Sequence, residues 1–187
     1  EVLDARGGLI TAGFDDAYIH VVGGAQELAD AELFQLDSVD AIQRTIAAHA
    51  AANPGAAWVK GHGWMYVPFP GGLPTRQQLD AVVPDRPAFM RCYDGHTAWV
   101  NSAALRIAGI DRDTPNPRDG VIVRDPDTGE ATGALKEGAQ ELVLAHVPMP
   151  STDETLAAMR LAIRGMHAAG TQRLRGVPGV RRGTGGG

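Results

Sequence analysis

Three short stretches carry the side chains that could do chemistry. In Gly13-Phe14-Asp15-Asp16-Ala17-Tyr18-Ile19-His20, a carboxylate, a phenol and an imidazole follow one another at two-residue spacing. Side chains at i and i+2 leave a strand on the same side, so Tyr18 and His20 can face one ion. A lone histidine beside a strand is more often just hydrogen-bonded than a ligand. Ligation by tyrosine is costly, since the ordinary phenol pKa lies near ~10. Asp16 serves a structural hydrogen bond as readily as chemistry. The second stretch is Asp94-Gly95-His96, and the third is Lys136-Glu137. Glu137 also reads as a residue at a helix start, where the dipole favours a carboxylate. Cys92 reads as a small buried hydrophobe rather than a nucleophile. His49, His146 and His167 fall on helical stretches and carry no signal. No phosphate loop or dinucleotide fingerprint is present.

The elements that must position these residues alternate between strand and helix. The apolar run Gly8 to Phe14 predicts a buried strand, with Tyr18 and His20 just beyond its end. Ser38 predicts the cap of a helix to about Ala52, with Ile42, Ile46 and Ala50 on one face and Pro54-Gly55 behind it. Ala57–Gly61 reads as a short strand, and the loop Tyr66–Pro74 is rich in Pro and Gly. Thr75 with Gln78 forms a capping box for a helix through Val83. Pro87–Tyr93 reads as a strand and Ala98–Ala108 as a helix closed by Gly109. Within that block Asn101 is expected to satisfy backbone groups near the helix start, and Trp99 to pack. Val121–Arg124 and Ala131–Leu135 flank a hairpin turn. Glu137–His146 reads as a helix. Ser151 with Glu154 opens another, running to Ala169 with Gly170 behind it. The alternation predicts an α/β fold with parallel strands.

Composition narrows the function classes. The 187 residues suit one domain or one and a half, and an apolar fraction of 44% supplies a core. The formal charge of -5 gives no electrostatic case for nucleic acid or acidic membranes. One cysteine excludes an internal disulfide and fits a reducing, cytoplasmic compartment. No apolar run approaches the ~20 residues of a membrane span. No signal peptide is visible, and a start other than Met suggests a chain that begins mid-gene.

Longer blocks carry a family resemblance. "DARGGLITAGFDDAYIH" resembles the opening of the metal-dependent amidohydrolases, where a strand ends in Pro-Gly-Phe-Ile-Asp-x-His-x-His. Here His20 holds the second histidine position, Tyr18 the first, Ala12 the proline, and Asp15 a usually apolar place. "GHGW" at Gly61–Trp64 resembles the Gly-x-Gly-Trp of the amidohydrolase-3 branch, which includes relatives of D-aminoacylase and N-substituted formamide deformylase. "LPTRQQLDAVVPDRPAFMRCYDGHTAWVNSAAL", Leu73 to Leu105, and "GVIVRDPDTGEATGALKEGAQELV", Gly120 to Val143, resemble that branch closely. His62 stands at a variable place of its motif and reads as structural or exposed.

The resemblance implies a (β/α)8 barrel with its active site at the C-terminal strand ends. This chain would supply a partial barrel with an insertion after the first barrel strand. It also implies a divalent metal, zinc above others, whose bound water attacks the carbonyl of a small-molecule amide, a non-peptide C–N bond. His20 and, as a degenerate ligand position, Tyr18 would be metal positions. Tyr18 is expected to fill the space of a lost imidazole. Glu137 would approach the metal or act in catalysis, ahead of Lys136, which in other branches is a carboxylated bridging lysine. His96 would face the substrate. The family's later histidines and its general-base aspartate have no counterpart here. A non-catalytic remnant or small-molecule binding module is the alternative.

Three further expectations concern the chain as a whole. Residues 1–170 read as an incomplete catalytic domain. Thr171–Gly187, with four arginines, six glycines and no acidic residue, reads as a disordered tail, of the kind a frameshifted gene end leaves. A partial barrel exposes unpaired sheet edges, which predicts self-association.

Overall fold

The computed structural model describes residues 4–9 and 11–176. The fold is mixed α/β and divides into two compact units. One is continuous, Asp30–Met149; the other is assembled from the chain on either side of it.

The continuous unit is built on six strands: β2 (Ala31–Glu32), β3 (Val59–Trp64), β4 (Ala88–Cys92), β5 (Thr97–Val100), β6 (Gly120–Arg124) and β7 (Ala131–Glu137). Their order in the sheet is β2-β3-β4-β5-β7-β6. The first three run parallel, and β5, β6 and β7 join antiparallel. The alternating pleat divides the side chains between two cores. Ala88, Met90, Cys92 and Trp99 join one, with Ile42, Ile46, Trp64 and Leu79. Phe89, Ala98 and Val100 join the other, with Leu105, Ile122, Leu135 and Val143.

That double burial corrects one expectation. The block from Ala98 is not one helix: β5 takes Thr97–Val100, and a short helix, α4 (Ser102–Ile107), begins only after Asn101. A short apolar run buried on both faces has no period that separates strand from helix. Pairing with β4 and β7 decides it. Asn101 caps α4: its Oδ1 accepts from Ala104 N at 3.0 Å. The helix α2 (Val39–Ala52) is as expected, with Ser38 Oγ accepting from Ala41 N at 3.3 Å. Its buried face is Ile42, Ile46 and Ala50, the i, i+4, i+8 row of an amphipathic helix. The Thr75–Gln78 capping box opens α3 (Arg76–Asp80), which stops short of the expected Val83. The strand expected at Ala57–Gly61 lies slightly later, at Val59–Trp64. The helix expected at Glu137–His146 is shorter. Glu137 ends β7, a 3-10 turn follows over Gly138–Gln140, and α5 covers only Glu141–Leu144.

The second unit pairs β1 (Phe14–Ile19) in parallel with β8 (Thr171–Gly176). It carries α1 (Val21–Glu27) and α6 (Thr152–Ala168), the latter opened by the Ser151–Glu154 capping box. Two expectations are corrected here. The first strand is not Gly8–Phe14; it starts at Phe14, because its ladder is set by β8, and Phe14 N donates to Gly170 O at 2.9 Å. Tyr18 therefore lies within the strand and His20 one residue past it. The expected disordered tail begins with an ordered strand, since Thr171–Gly176 finds a partner in β1. Residues 177–187 lie outside the described residues.

Candidate functional site

The site is built around Glu137. Its backbone angles, φ 50 and ψ -131, lie close to those of the first central residue of a type II′ turn, a position glycine ordinarily holds. A glutamate there is strained by about 1–3 kcal/mol. Its neighbours hold it in place: Glu137 N donates to His96 O at 2.9 Å and Gly138 N to Asp119 O at 3.0 Å. Glycines make the approach possible, since a Cβ on Gly120 would lie 2.1 Å from Ala139 N, and one on Gly138 would lie 2.2 Å from the Asp119 carboxylate.

Opposite Glu137, the turn between β4 and β5 presents His96. Asp94 Oδ1 accepts from His96 N at 2.9 Å, and Gln140 Nε2 donates to Gly95 O at 3.0 Å. His96 Nδ1 meets Glu137 Oε2 at 3.2 Å. The carboxylate beside it, by hydrogen bond and charge, raises the His96 pKa above its ordinary 6.5. A carboxylate on Nδ1 favours the tautomer protonated there and leaves Nε2 for another partner.

The pair edges a concavity of about 430 Å³, also lined by Tyr66, Gly71-Gly72-Leu73, Thr97 and Lys136. The Tyr66 hydroxyl lies 2.8 Å from Thr97 Oγ1 and donates to Asp94 Oδ2 at 3.1 Å. Burial pushes the Tyr66 hydroxyl pKa up. Burial also opposes the charge on Asp94, but the hydrogen bonds it accepts, from His96 N and Tyr66 among them, outweigh it and hold the Asp94 carboxyl low. Sequence reasoning missed Tyr66 and Thr97. Their partners lie some thirty residues away, so no local spacing marks them.

The structure thus brings His96, Glu137 and Lys136 to one concavity. Tyr18 and His20 belong to the other unit, where their rings meet edge to face with centroids 5.7 Å apart. Tyr18 fills no imbedded space: it is 73% exposed. Asp16 makes a structural bond, accepting from Tyr18 N at 3.1 Å. His62 Nε2 lies 3.7 Å from Glu32 Oε2 across the β2–β3 pair. Cys92 is buried, and its Sγ donates to Trp64 O at 3.2 Å. Burial raises its thiol pKa, the opposite of what a nucleophilic cysteine needs. Among the described residues no three His, Cys, Asp or Glu side chains gather into a set that could hold a metal ion. Among the described residues no helix is long and apolar enough to cross a membrane.

Comparison with known proteins gives this geometry a family. The chain is 38% identical over 163 residues to the amidohydrolase YtcJ of Bacillus subtilis (strain 168), covering 84% of this chain and 30% of that protein. It is 36% identical over 146 residues to N-substituted formamide deformylase of Arthrobacter pascens, covering 76% of this chain and 27% of the enzyme. The chain thus spans about 30% of the length of these relatives. Among solved structures, an uncharacterized metal-dependent hydrolase from Pyrococcus horikoshii shares the fold, with a TM-score of 0.60 at 20% identity, over 87% of this chain and 30% of that one. The profile of the amidohydrolase family matches residues 1–183, and the chain belongs to that family.

Proposed function

We propose that this chain is part of a metal-dependent hydrolase that cleaves a non-peptide C–N bond of a small-molecule amide. In this reading β1, α6 and β8 belong to a partial (β/α)8 barrel, and Asp30–Met149 is the insertion that follows its first strand. The parallel β1–β8 pair, reached through α6, supports it. A divalent metal, zinc by family, would supply an activated water when bound. His20 would be its donor here, with further donors in the additional length of the relatives. The observation that carries the proposal is Glu137, a strained carboxylate fixed on His96 at the edge of the concavity. Strained backbone clusters at working sites. In this reading Glu137 holds the His96 tautomer, and His96 Nε2 offers a hydrogen bond or a proton to a ligand in the concavity.

The test is a chimera. Asp30–Met149 replaces the corresponding segment of the Arthrobacter pascens enzyme, and hydrolysis of N-formyl amines and N-acyl amino acids is measured, with melting curves as a fold control. Metal-dependent turnover is expected, falling by about 10²–10⁴ in His96→Ala and less in Glu137→Gln. Turnover indifferent to both substitutions in a folded chimera overturns the proposal. One observation favours a second reading, a binding module without catalysis: Tyr18 stands where the family pattern has a histidine.

A further inference from the structure

Two Asp-Gly pairs stand in the continuous unit, Asp94-Gly95 and Asp119-Gly120. Both aspartates are exposed, and both hold the same place in a turn. Gly95 N donates to Cys92 O at 3.0 Å and Gly120 N to Pro117 O at 3.3 Å, so each aspartate is the third of four turn residues. Such a pair can rearrange by itself. Glycine has no Cβ to obstruct its amide nitrogen. That nitrogen attacks the aspartate Cγ, a C–N bond forms, and a carboxyl oxygen leaves as water. The five-membered succinimide then takes up water at either carbonyl, giving back aspartate or giving isoaspartate. No other reactant enters.

The two carboxyls differ in what holds them. Asp94 Oδ1 accepts from His96 N at 2.9 Å, and Oδ2 accepts from the Tyr66 hydroxyl at 3.1 Å. Ring closure removes one of these oxygens, and with it the charge that strengthens both bonds. The same bonds keep the Asp94 carboxyl ionised, its poorer electrophilic form. Among the described residues the Asp119 carboxylate has no hydrogen bond or ion pair to lose. Its backbone carbonyl, however, accepts from Gly138 N at 3.0 Å and so braces the strained Glu137.

We infer that Asp119-Gly120 is a site of spontaneous isoaspartate formation, and that this change undoes the brace on Glu137. In isoaspartate the chain runs through Cβ and Cγ and is longer by one carbon. The carbonyl that accepted from Gly138 N becomes a free α-carboxylate outside the chain. Gly120, which pairs with Glu137 across β6 and β7, is then displaced along its strand. The Glu137–His96 pair loses its support on that side.

The readout is covalent structure, not turnover, so it succeeds or fails independently of hydrolysis. The full chain is aged at neutral pH and body temperature, in buffer and in urea. Isoaspartate is located by peptide mapping, with enzymatic methylation of the new α-carboxylate as a second measure. In the folded protein it is expected at Asp119 at least about tenfold faster than at Asp94, the size of one hydrogen bond to a charged group. In urea, where the turns and their bonds are gone, the two rates should converge. Tyr66→Phe removes one bond from Asp94 and should speed the reaction there but not at Asp119. Asp119→Glu should abolish it at that position, because glutamate would have to close a six-membered ring, and melting curves check that both variants fold. In the separated isoaspartate form, His96 should titrate closer to pH 6.5 than in the fresh protein. Equal rates at the two aspartates of the folded protein, the same difference persisting in urea, no isoaspartate at Asp119, or a His96 titration untouched by it overturns the inference.

Discussion

At the scale of single residues, Glu137 allows two measurements that separate its chemistry from its backbone. The carboxylate raises the His96 pKa, so the C2 proton of His96 should titrate above pH 6.5 in the wild type and fall back toward it in Glu137→Gln. The sign for stability follows. A raised folded pKa means that the contribution of the pair is complete below about pH 6.5 and disappears as pH climbs through the folded value. A titration that does not respond to Glu137→Gln would show that the 3.2 Å contact is not kept in solution. The backbone makes the second claim. Glycine relieves the strain at φ 50 whereas alanine retains it. Urea denaturation should find Glu137→Gly more stable than Glu137→Ala by about 1–2 kcal/mol, the strain less the entropy lost by glycine. The reverse order would mean that the residue sits in ordinary backbone.

At the scale of elements, Asn101 joins four segments with one amide. Its Oδ1 accepts from Ala88 N and Ala104 N at 3.0 Å, and its Nδ2 donates to Val83 O at 3.0 Å and Arg86 O at 2.9 Å. It is 1% exposed, so Asn101→Ala leaves buried backbone groups without partners and should cost about 2–4 kcal/mol. Asn101→Asp keeps both acceptor bonds but sets an acceptor against two carbonyls, and should be no milder. A loss under 1 kcal/mol in thermal or urea unfolding would contradict this. Asn101 was legible because a capping residue acts within three positions of itself. The helices opened by Ser38 and Ser151 were legible for the same reason. Strands were less so. β5 was hidden by burial on both faces, and β1 and β8 by depending on each other across most of the chain. In the site, His96 and Glu137 were readable through longer motifs. Tyr66, which only folding brings to Asp94 and Thr97, was not.

For the whole molecule, the expectation concerns the chain by itself. Three protein ligands and an open position are common to catalytic zinc sites, and the chain spans about 30% of the length of its relatives. The isolated 187-residue chain should not hydrolyse N-formyl amines or N-acyl amino acids. Tyr18→His should not rescue it, because a second imidazole supplies neither the remaining donors nor a base. Zinc content and turnover of both proteins decide the matter. Metal-dependent turnover by the unaltered chain, abolished by His20→Ala, would mean that its own residues suffice.

The parallel pairing of Phe14 with Thr171 also sets a timetable. At ~5–20 residues per second, β1 leaves the ribosome roughly 10–30 s before β8 exists to pair with it. Hairpins form within about 1–10 μs, so the strands of Asp30–Met149 have time to assemble throughout that wait. Synthesis therefore orders the two units in time, and the one that pairs β1 with β8 comes last. Nascent chains arrested before Pro150 should already resist limited proteolysis across Asp30–Met149 while remaining cleavable near Phe14. Uniform cleavage of such chains would show instead that Asp30–Met149 waits for the strand that follows it.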